Sequence, residues 1–173
     1  HNSSNSAERI LLAAESLFAE QGFHATTLRQ ITGKAGVNLA AVNYHHYDKE
    51  SLYIAVFRAG LRAVDEDRLG RLTAAEASAG EAPVALLTLL EILARPVFDP
   101  EEVRAFSRIL GRSLAEPLPF MEPILERELQ PTFARFSQAL RRHAPAIPPD
   151  EFLWRFSFVI GALHHSLATL QRM

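Results

Sequence analysis

The chain has 173 residues, of which 48% are hydrophobic and 22% are charged, a composition typical of a folded protein with one domain or two small ones. It has no cysteine, which excludes disulfides, thiol nucleophiles and cysteine-bound zinc. No apolar run is long enough to cross a bilayer and no signal-peptide pattern is present, so we expect a cytoplasmic protein with no membrane partner. The formal net charge of −2 argues against the broad basic surface that usually marks a nucleic-acid binder.

Helical periodicity dominates the chain and no convincing alternating strand pattern occurs, which predicts an all-α fold. Residues 1–6, a histidine followed by serines and asparagines, are interpreted as a disordered tag remnant. Residues 7–21 place apolar side chains on one face and charged ones mostly opposite, which predicts a first helix. We expect Gly22 to end this helix.

Two short helices joined by a tight turn follow. Thr27 and Gln30 have the spacing of a capping box, which predicts that a second helix begins at Leu28. Gly36 tolerates the positive φ that a sharp turn requires. Asn38 is a good N-cap for a third helix that we expect to reach residue 46.

This arrangement is typical of a helix-turn-helix, in which the second short helix enters the major groove of DNA. We expect Val37 to close the turn against a core formed by Leu17, Phe18, Leu28 and Ile31. The following segment carries small and polar side chains, which let a helix backbone approach base edges. Asn43 suits bidentate recognition of adenine, worth about 1–3 kcal/mol of discrimination.

The runs at 26–31, 35–45 and 49–52 closely resemble the N-terminal signature of the TetR family of transcriptional regulators. The resemblance implies phosphate contacts from Thr27, Tyr44, His45 and Lys49, and base contacts from the segment 38–43. The predicted DNA-binding residues are therefore Thr27, Asn38, Leu39, Ala40, Asn43, Tyr44, His45 and Lys49. Family members usually have Phe followed by a small residue where this chain has His46 and Tyr47, so contacts around those positions stay open.

The domain organisation follows from this resemblance: residues 7–52 form the DNA-binding domain, and residues 53–173 form a helical domain for effector binding and dimerisation. Within the second domain, Asp48 is predicted to cap a helix that ends near 69–72. The stretch 73–83 is interpreted as a loop or a frayed helix end.

Prolines divide the rest of the chain. We predict a helix over 84–94 that stops before Pro96, and a new helix that begins after Asp99, where Pro100 and Glu102 complete a start signal. A proline-punctuated apolar segment reaches Arg142, and a last helix runs from Glu151 to about residue 171.

The last helix is apolar almost all round, which predicts contact with two surfaces. The intramolecular core and the partner subunit of a twofold homodimer are the natural pair; a single central core helix is the alternative. The predicted dimer interface comprises Leu153, Trp154, Ser157, Ile160, Gly161 and His164.

A cluster of bulky apolar residues in the second domain predicts a cavity for a small apolar effector, with close-packed core as the alternative. Its predicted lining is Phe106, Ile109, Leu110, Phe120, Met121, Ile124, Phe133 and Phe136. The run at 144–156 resembles fatty-acid-responsive regulators of the PsrA type, which implies a fatty acid or acyl-CoA as effector.

The function predicted from these features is that of a DNA-binding regulator, a repressor that its effector releases from an operator. The alternative is a helical ligand-binding or interaction module without sequence-specific DNA binding, because residues 1–60 carry five charges of each sign. We expect no enzyme, cofactor or metal. The pairs at 45–46 and 164–165 are adjacent histidines, which point about 100° apart on a helix and do not converge on one ion.

Overall fold

The structure, a computed structural model, describes residues 2–38, 48–98, 104–115 and 117–170. These residues form seven α-helices and no strand, which confirms the predicted all-α class. The helices are α1 (Asn2–Ala25), α2 (Leu28–Ala35), α3 (Lys49–Ala79), α4 (Leu86–Phe98), α5 (Arg104–Ala115), α6 (Glu122–Arg141) and α7 (Pro149–Leu170).

Helix α1 begins earlier than the sequence predicted. It extends back to Asn2, whereas the sequence placed its start at residue 7; the interpretation of residues 1–6 as a tag remnant stays a prediction. Ile10 is fully buried, so the helical turn that contains it is held against the core. The residues before it can then add to an existing helix, which costs far less free energy than nucleating a new one. Gly22 has φ 80° and ψ 176°, so the predicted end of regular helix there is confirmed as a kink before the last residues of α1.

The local signals around α2 are confirmed. Thr27 Oγ1 accepts a hydrogen bond from the Gln30 backbone N–H at 3.2 Å, and the Gln30 side-chain oxygen accepts one from the Thr27 N–H at 2.8 Å. Gly36 has φ 63° and ψ 38°, and its N–H bonds back into the last turn. Val37 packs against the core, as the turn requires.

Helix α3 is longer than predicted. Asp48 caps it by accepting the Ser51 N–H at 2.7 Å, as expected, but the helix continues to Ala79 and not to 69–72. The stretch 73–79 contains four alanines and one glutamate, which have high intrinsic helix propensity even without an amphipathic pattern. The carboxylate of Glu76 also accepts two hydrogen bonds from Arg135 of α6, one of them at 2.8 Å.

Prolines interrupt the helices less than predicted. Helix α4 runs through Pro96 to Phe98, so the predicted stop before Pro96 is wrong. Pro96 removes one backbone hydrogen bond to the carbonyl four residues earlier, and the helix ends two residues after it. Helix α6 likewise contains Pro131. The start signal at 99–102 lies outside the described residues.

The buried side chains form two clusters. The first core joins α1, α2, α3, α5 and the segment before α6; its largest fully buried members are Ile10, Phe18, Ile31, Leu52, Tyr53, Phe57, Ile109 and Met121. The second core joins the end of α3 to α4, α6 and α7, with Leu72, Leu89 and Phe136 fully buried.

The predicted boundary between residues 52 and 53 falls within α3 and within the first core. Packing is therefore continuous from the first two helices into α5. Among the described residues, no helix has the length and apolar content needed to span a membrane.

Candidate nucleic-acid interface and effector region

Thr27 lies at the exposed N-terminus of α2. A helix N-terminus presents backbone N–H groups and the positive end of the helix dipole, both of which favour a phosphate. The hydroxyl accepts from Gln30 and also donates to its side-chain oxygen at 2.9 Å. The structure thus fixes Thr27 as a cap, and its phosphate contact stays a prediction.

The predicted reading residues are only partly described. Asn38 is exposed directly after Val37, at the point where the predicted recognition helix begins. Leu39, Ala40, Asn43, Tyr44 and His45 lie outside the described residues. On either side of those residues, Val37 packs against the first core and Asp48 caps α3.

Lys49 has a role that the sequence did not reveal. Its ammonium donates to the backbone carbonyls of Phe23 and Thr26, both at 3.1 Å, and lies 4.2 Å from the centroid of the Phe23 ring. It therefore ties the start of α3 to the end of α1. A positive charge in the first turn of a helix interacts unfavourably with the helix dipole. A lysine at this position of the sequence therefore indicates that nearby acceptors, such as backbone carbonyls, stabilise it.

Replacing Lys49 by methionine is expected to lower the free energy of unfolding by about 1.5–3 kcal/mol, the usual size of hydrogen bonds to a charged group. Urea denaturation measures this value. Lys34→Met is the control, because Lys34 bonds Ser16 at the exposed surface, where such contacts contribute little. Equal effects of the two substitutions would contradict the proposed tie.

Two arginines also hold the DNA-reading part in place. Arg9 of α1 donates to the carbonyl of Gly36 at 3.2 Å, at the turn itself. Arg112 of α5 donates to the carbonyl of Glu20 at 3.2 Å, near the kink of α1. The second contact joins the helix-turn-helix directly to the rest of the chain.

An aromatic cluster reinforces this junction. Tyr53 packs edge-on against Phe18 and Phe23, with ring centroids 4.8 and 5.3 Å apart, and Phe120 lies 5.1 Å from Phe23. The Tyr53 hydroxyl shares a buried 2.9 Å hydrogen bond with Ser113 of α5. Burial raises the pKa of Tyr53 above its ordinary value, so the hydroxyl stays protonated at neutral pH.

The predicted effector pocket is not one cavity. The structure divides its residues between the two cores: Phe133 and Phe136 belong to the second, and the others belong to the first. Ile109 and Met121 are fully buried, so they are packed within the first core. Amphipathic spacing predicts that such residues are buried but does not say against which partner.

A groove of about 860 Å³ lies between α3 and α4. It combines apolar residues with the guanidinium groups of Arg71 and Arg95, and both of these ion-pair with Asp67. The sequence prediction missed it. Its lining is Arg71, Ala74, Ala75, Leu87, Thr88, Leu90, Glu91, Ile92, Ala94 and Arg95.

Helix α7 exposes an apolar face. Leu153 and Trp154 of the predicted interface are 45% and 69% exposed, and Ser157 and Gly161 are exposed as well. Ile160 packs partly against the second core, and the side chain of His164 is outside the described set. The sequence prediction omitted Phe158, which is 71% exposed, although its i, i+4 spacing from Trp154 indicates the same face.

No group of three or more His, Asp or Glu side chains in the described part of the chain is placed to hold a metal ion.

The capped α2, the left-handed glycine turn and the all-helical body together define a helix-turn-helix regulator with a helical second domain.

Two family models match this chain and together cover about three quarters of it. Residues 10–56 match the bacterial regulatory proteins of the tetR family, and residues 91–173 match the tetracyclin repressor-like C-terminal domain. The chain belongs to the TetR family of transcriptional regulators, which is a non-enzymatic family.

Among curated relatives, the transcriptional regulator RutR of Escherichia coli is 45% identical over 65 residues, which cover 34% of this chain. The match spans about a third of the length of RutR, 31%. Among solved structures, the fatty acid degradation regulator FadR of Bacillus halodurans is similar with a TM-score of 0.70 at 16% identity, covering 94% of this chain and 86% of FadR. The SmeT–triclosan complex is similar with a TM-score of 0.69 at 20% identity, covering 97% and 83%. These structural likenesses concern the fold.

Proposed function

We propose that the protein is a homodimeric transcriptional repressor that binds operator DNA and leaves it when a small apolar effector binds. The observation that supports DNA binding most strongly is the turn around Gly36. The left-handed glycine, the packed Val37 and the capping box of Thr27 fix the geometry that a helix-turn-helix needs. Such a regulator acts on DNA in the cytoplasm.

The proposed DNA contacts are those that the sequence predicted. Thr27 and the helix N-terminus behind it bind a phosphate, aided by Tyr44 and His45. Asn38, Leu39, Ala40 and Asn43 meet base edges in the major groove. Lys49 donates to a phosphate with the third of its ammonium protons, since two are engaged by backbone carbonyls.

Dimerisation is proposed through the exposed face of α7. Single exposed apolar side chains are common, but Trp154, Phe158 and Leu153 form a contiguous exposed apolar patch. Such a patch is typical of a protein–protein interface. A Cβ added at Gly161 would have no atom within 4 Å, so the backbone of a partner helix has room to approach there. A twofold axis would place two reading helices on successive turns of DNA.

For the effector we propose a fatty acid or acyl-CoA, a class that rests on the resemblance of the run at 144–156 to PsrA-type regulators. The FadR likeness is compatible with this class. The groove between α3 and α4 offers a site of suitable size, since ligand sites commonly span roughly 300–1,000 Å³, and Arg71 and Arg95 at its wall suit an acidic head group.

Release from DNA then follows from linkage. Helix α3 runs without interruption from Lys49, beside the DNA-reading part, to Arg71 and Ala75 in the groove. An effector that binds more tightly to a form with unsuitably spaced reading helices lowers DNA affinity by that difference in affinity.

Selection of genomic fragments with the purified protein, followed by fluorescence anisotropy on the selected DNA, tests the first half of the proposal. Asn43→Ala is expected to relax base preference at one position by about 1–3 kcal/mol. Tyr44→Phe removes one hydroxyl and is expected to weaken all sequences equally. Thr27→Ser, which keeps the cap, is the control.

Failure to enrich any fragment would refute DNA reading and favour the interaction module. Titration of dodecanoate and of its acyl-CoA into the protein–DNA complex tests the second half. No loss of anisotropy with either compound would overturn the acyl effector and leave DNA binding standing.

A further inference from the structure

A second, smaller groove lies where the helix-turn-helix meets the rest of the chain. It has a volume of about 330 Å³ and lies between α1 and α3, with one aromatic ring of α5 at its floor. The position differs from that of the α3–α4 groove. Its lining is Glu8, Leu11, Leu12, Glu15, Val56, Ala59, Gly60, Ala63 and Phe106.

Small residues on α3 leave this space open. Ala59, Gly60 and Ala63 project little or nothing from the helix, so α1 does not close over them. The Phe106 ring approaches the backbone so closely that a Cβ on Gly60 would lie 2.3 Å from it. Leu12 forms one wall and is 60% exposed. The wall formed by Leu12 and the floor formed by Phe106 are therefore apolar.

The charge of the groove is entirely negative. Glu8 and Glu15 are seven residues apart, which places them on one face of α1. Neither carboxylate has a hydrogen bond or an ion pair within the described part of the chain, and neither Lys nor Arg is among the nine lining residues. Burial without a compensating partner raises the pKa of Glu15.

A half-buried carboxylate without a partner costs free energy, which a bound cation offsets. The apolar side chains of the lining favour a ligand whose body is aromatic or alkyl. An anion would meet two carboxylates, and a neutral ligand would leave them uncompensated.

We propose that this junction groove is a binding site for a small organic cation with an aromatic or alkyl body. The ammonium group lies between Glu8 and Glu15, and the apolar body rests on Phe106 and Leu12. The volume, near the lower end for ligand sites, fits a single-ring amine. This site is separate from the effector groove and does not require that the protein bind DNA.

A charge series of nearly equal shape tests the proposal by calorimetry on the full chain. Phenethylamine is expected to bind with one site per chain, at least about tenfold more tightly than phenethyl alcohol, the size of one charge-assisted contact. Hydrocinnamate, the anion of the series, is expected not to bind. Equal binding of the amine and the alcohol, binding of the anion, or no binding of the amine would each overturn the assignment.

Matched variants locate the site. Glu15→Gln keeps the shape and removes the charge, and it is expected to weaken phenethylamine about tenfold. Glu66→Gln removes an exposed carboxylate from α3 outside the groove and is expected to change nothing. Ala63→Leu places a larger side chain in the groove from an exposed position and is expected to abolish binding. Unchanged binding in either Glu15→Gln or Ala63→Leu would overturn the site.

Discussion

Replacing Trp154 and Phe158 together by glutamate is expected to convert the proposed dimer into monomers and to abolish operator binding. The two rings lie one turn apart on α7, with centroids separated by 6.4 Å. They are 69% and 71% exposed in the single chain, so glutamate at either position leaves the core of the subunit untouched. In a dimer the same carboxylates would be buried without partners.

The expected size follows from measured interface residues. A central aromatic residue typically contributes about 2 kcal/mol or more, so losing both raises the dimer dissociation constant roughly a thousandfold. Sedimentation velocity measures the assembly, and anisotropy on selected DNA measures the consequence, because two linked half-sites bind far more tightly than one.

Leu87→Glu is the matched control for this experiment. Leu87 is 68% exposed on α4, so this variant places the same charge on an equally exposed apolar residue of another helix. It is expected to leave the assembly unchanged. A double variant of α7 that still sediments as a dimer would show that another surface joins the subunits.

The parts of the fold that depend on local chemistry were predictable from the sequence. Thr27 and Gln30 predict a capping box, Gly36 predicts a left-handed turn, and Asp48 predicts a helix cap. All three features are present. Each signal acts within a few residues, through side-chain bonds to backbone N–H groups or through the absence of a Cβ. Distant contacts do not override them here.

Helix ends without such signals were predicted poorly. The stretch 73–83 lacks an amphipathic pattern, which predicts a loop or a frayed helix end, but α3 continues to Ala79. Periodicity reports which face is buried, whereas helix formation at an exposed end depends on intrinsic propensity and on single contacts such as Glu76 with Arg135.

The residues predicted to line the effector pocket are divided between two cores for a different reason. Phe106 and Phe136 are both buried, as their spacing indicates, but they belong to different cores. The spacing of apolar residues along one helix predicts which of them are buried. A cavity depends instead on the gap that several helices leave between them. Groove residues such as Ala74 and Thr88 are small and unremarkable in sequence.

Lys49 illustrates the same limit within the DNA-reading part. The family resemblance implies that Lys49 contacts a phosphate, and the structure adds hydrogen bonds to the backbone carbonyls of Phe23 and Thr26. A single lysine thus holds the helix that would also position it against DNA. The resemblance names a role at an interface, and only the tertiary contacts reveal what places the side chain there.

Gly60→Ala is expected to destabilise the fold, although alanine is normally the better helix former. The new Cβ would lie 2.3 Å from Phe106 Cδ2, 2.6 Å from Cγ and 2.9 Å from its Cβ. Phe106 is only 4% exposed, and its Cβ is fixed to the backbone of α5, so the ring has little freedom to move away. Overpacking of this kind typically costs about 1–3 kcal/mol.

Gly70→Ala is a control within the same helix. Nothing lies within 4 Å of a Cβ added at Gly70, so this variant is expected to gain about 1 kcal/mol from helix propensity. Urea denaturation of the two variants therefore separates propensity, which they share, from the contact, which only Gly60 makes. A stabilised Gly60→Ala variant would show that α3 and α5 adjust their spacing freely.

The contact itself is tested by combining Gly60→Ala with Phe106→Leu. The leucine alone leaves a gap in the first core and is expected to cost stability, since the removed carbons are not replaced. In the double variant the alanine methyl enters that gap, so the combined loss is expected to be smaller than the two single losses added together. Non-additivity of this sign is the mark of residues in direct contact. Strict additivity would mean that Gly60 does not set the distance between α3 and α5, and the close junction between the DNA-reading helices and the rest of the chain would need another origin.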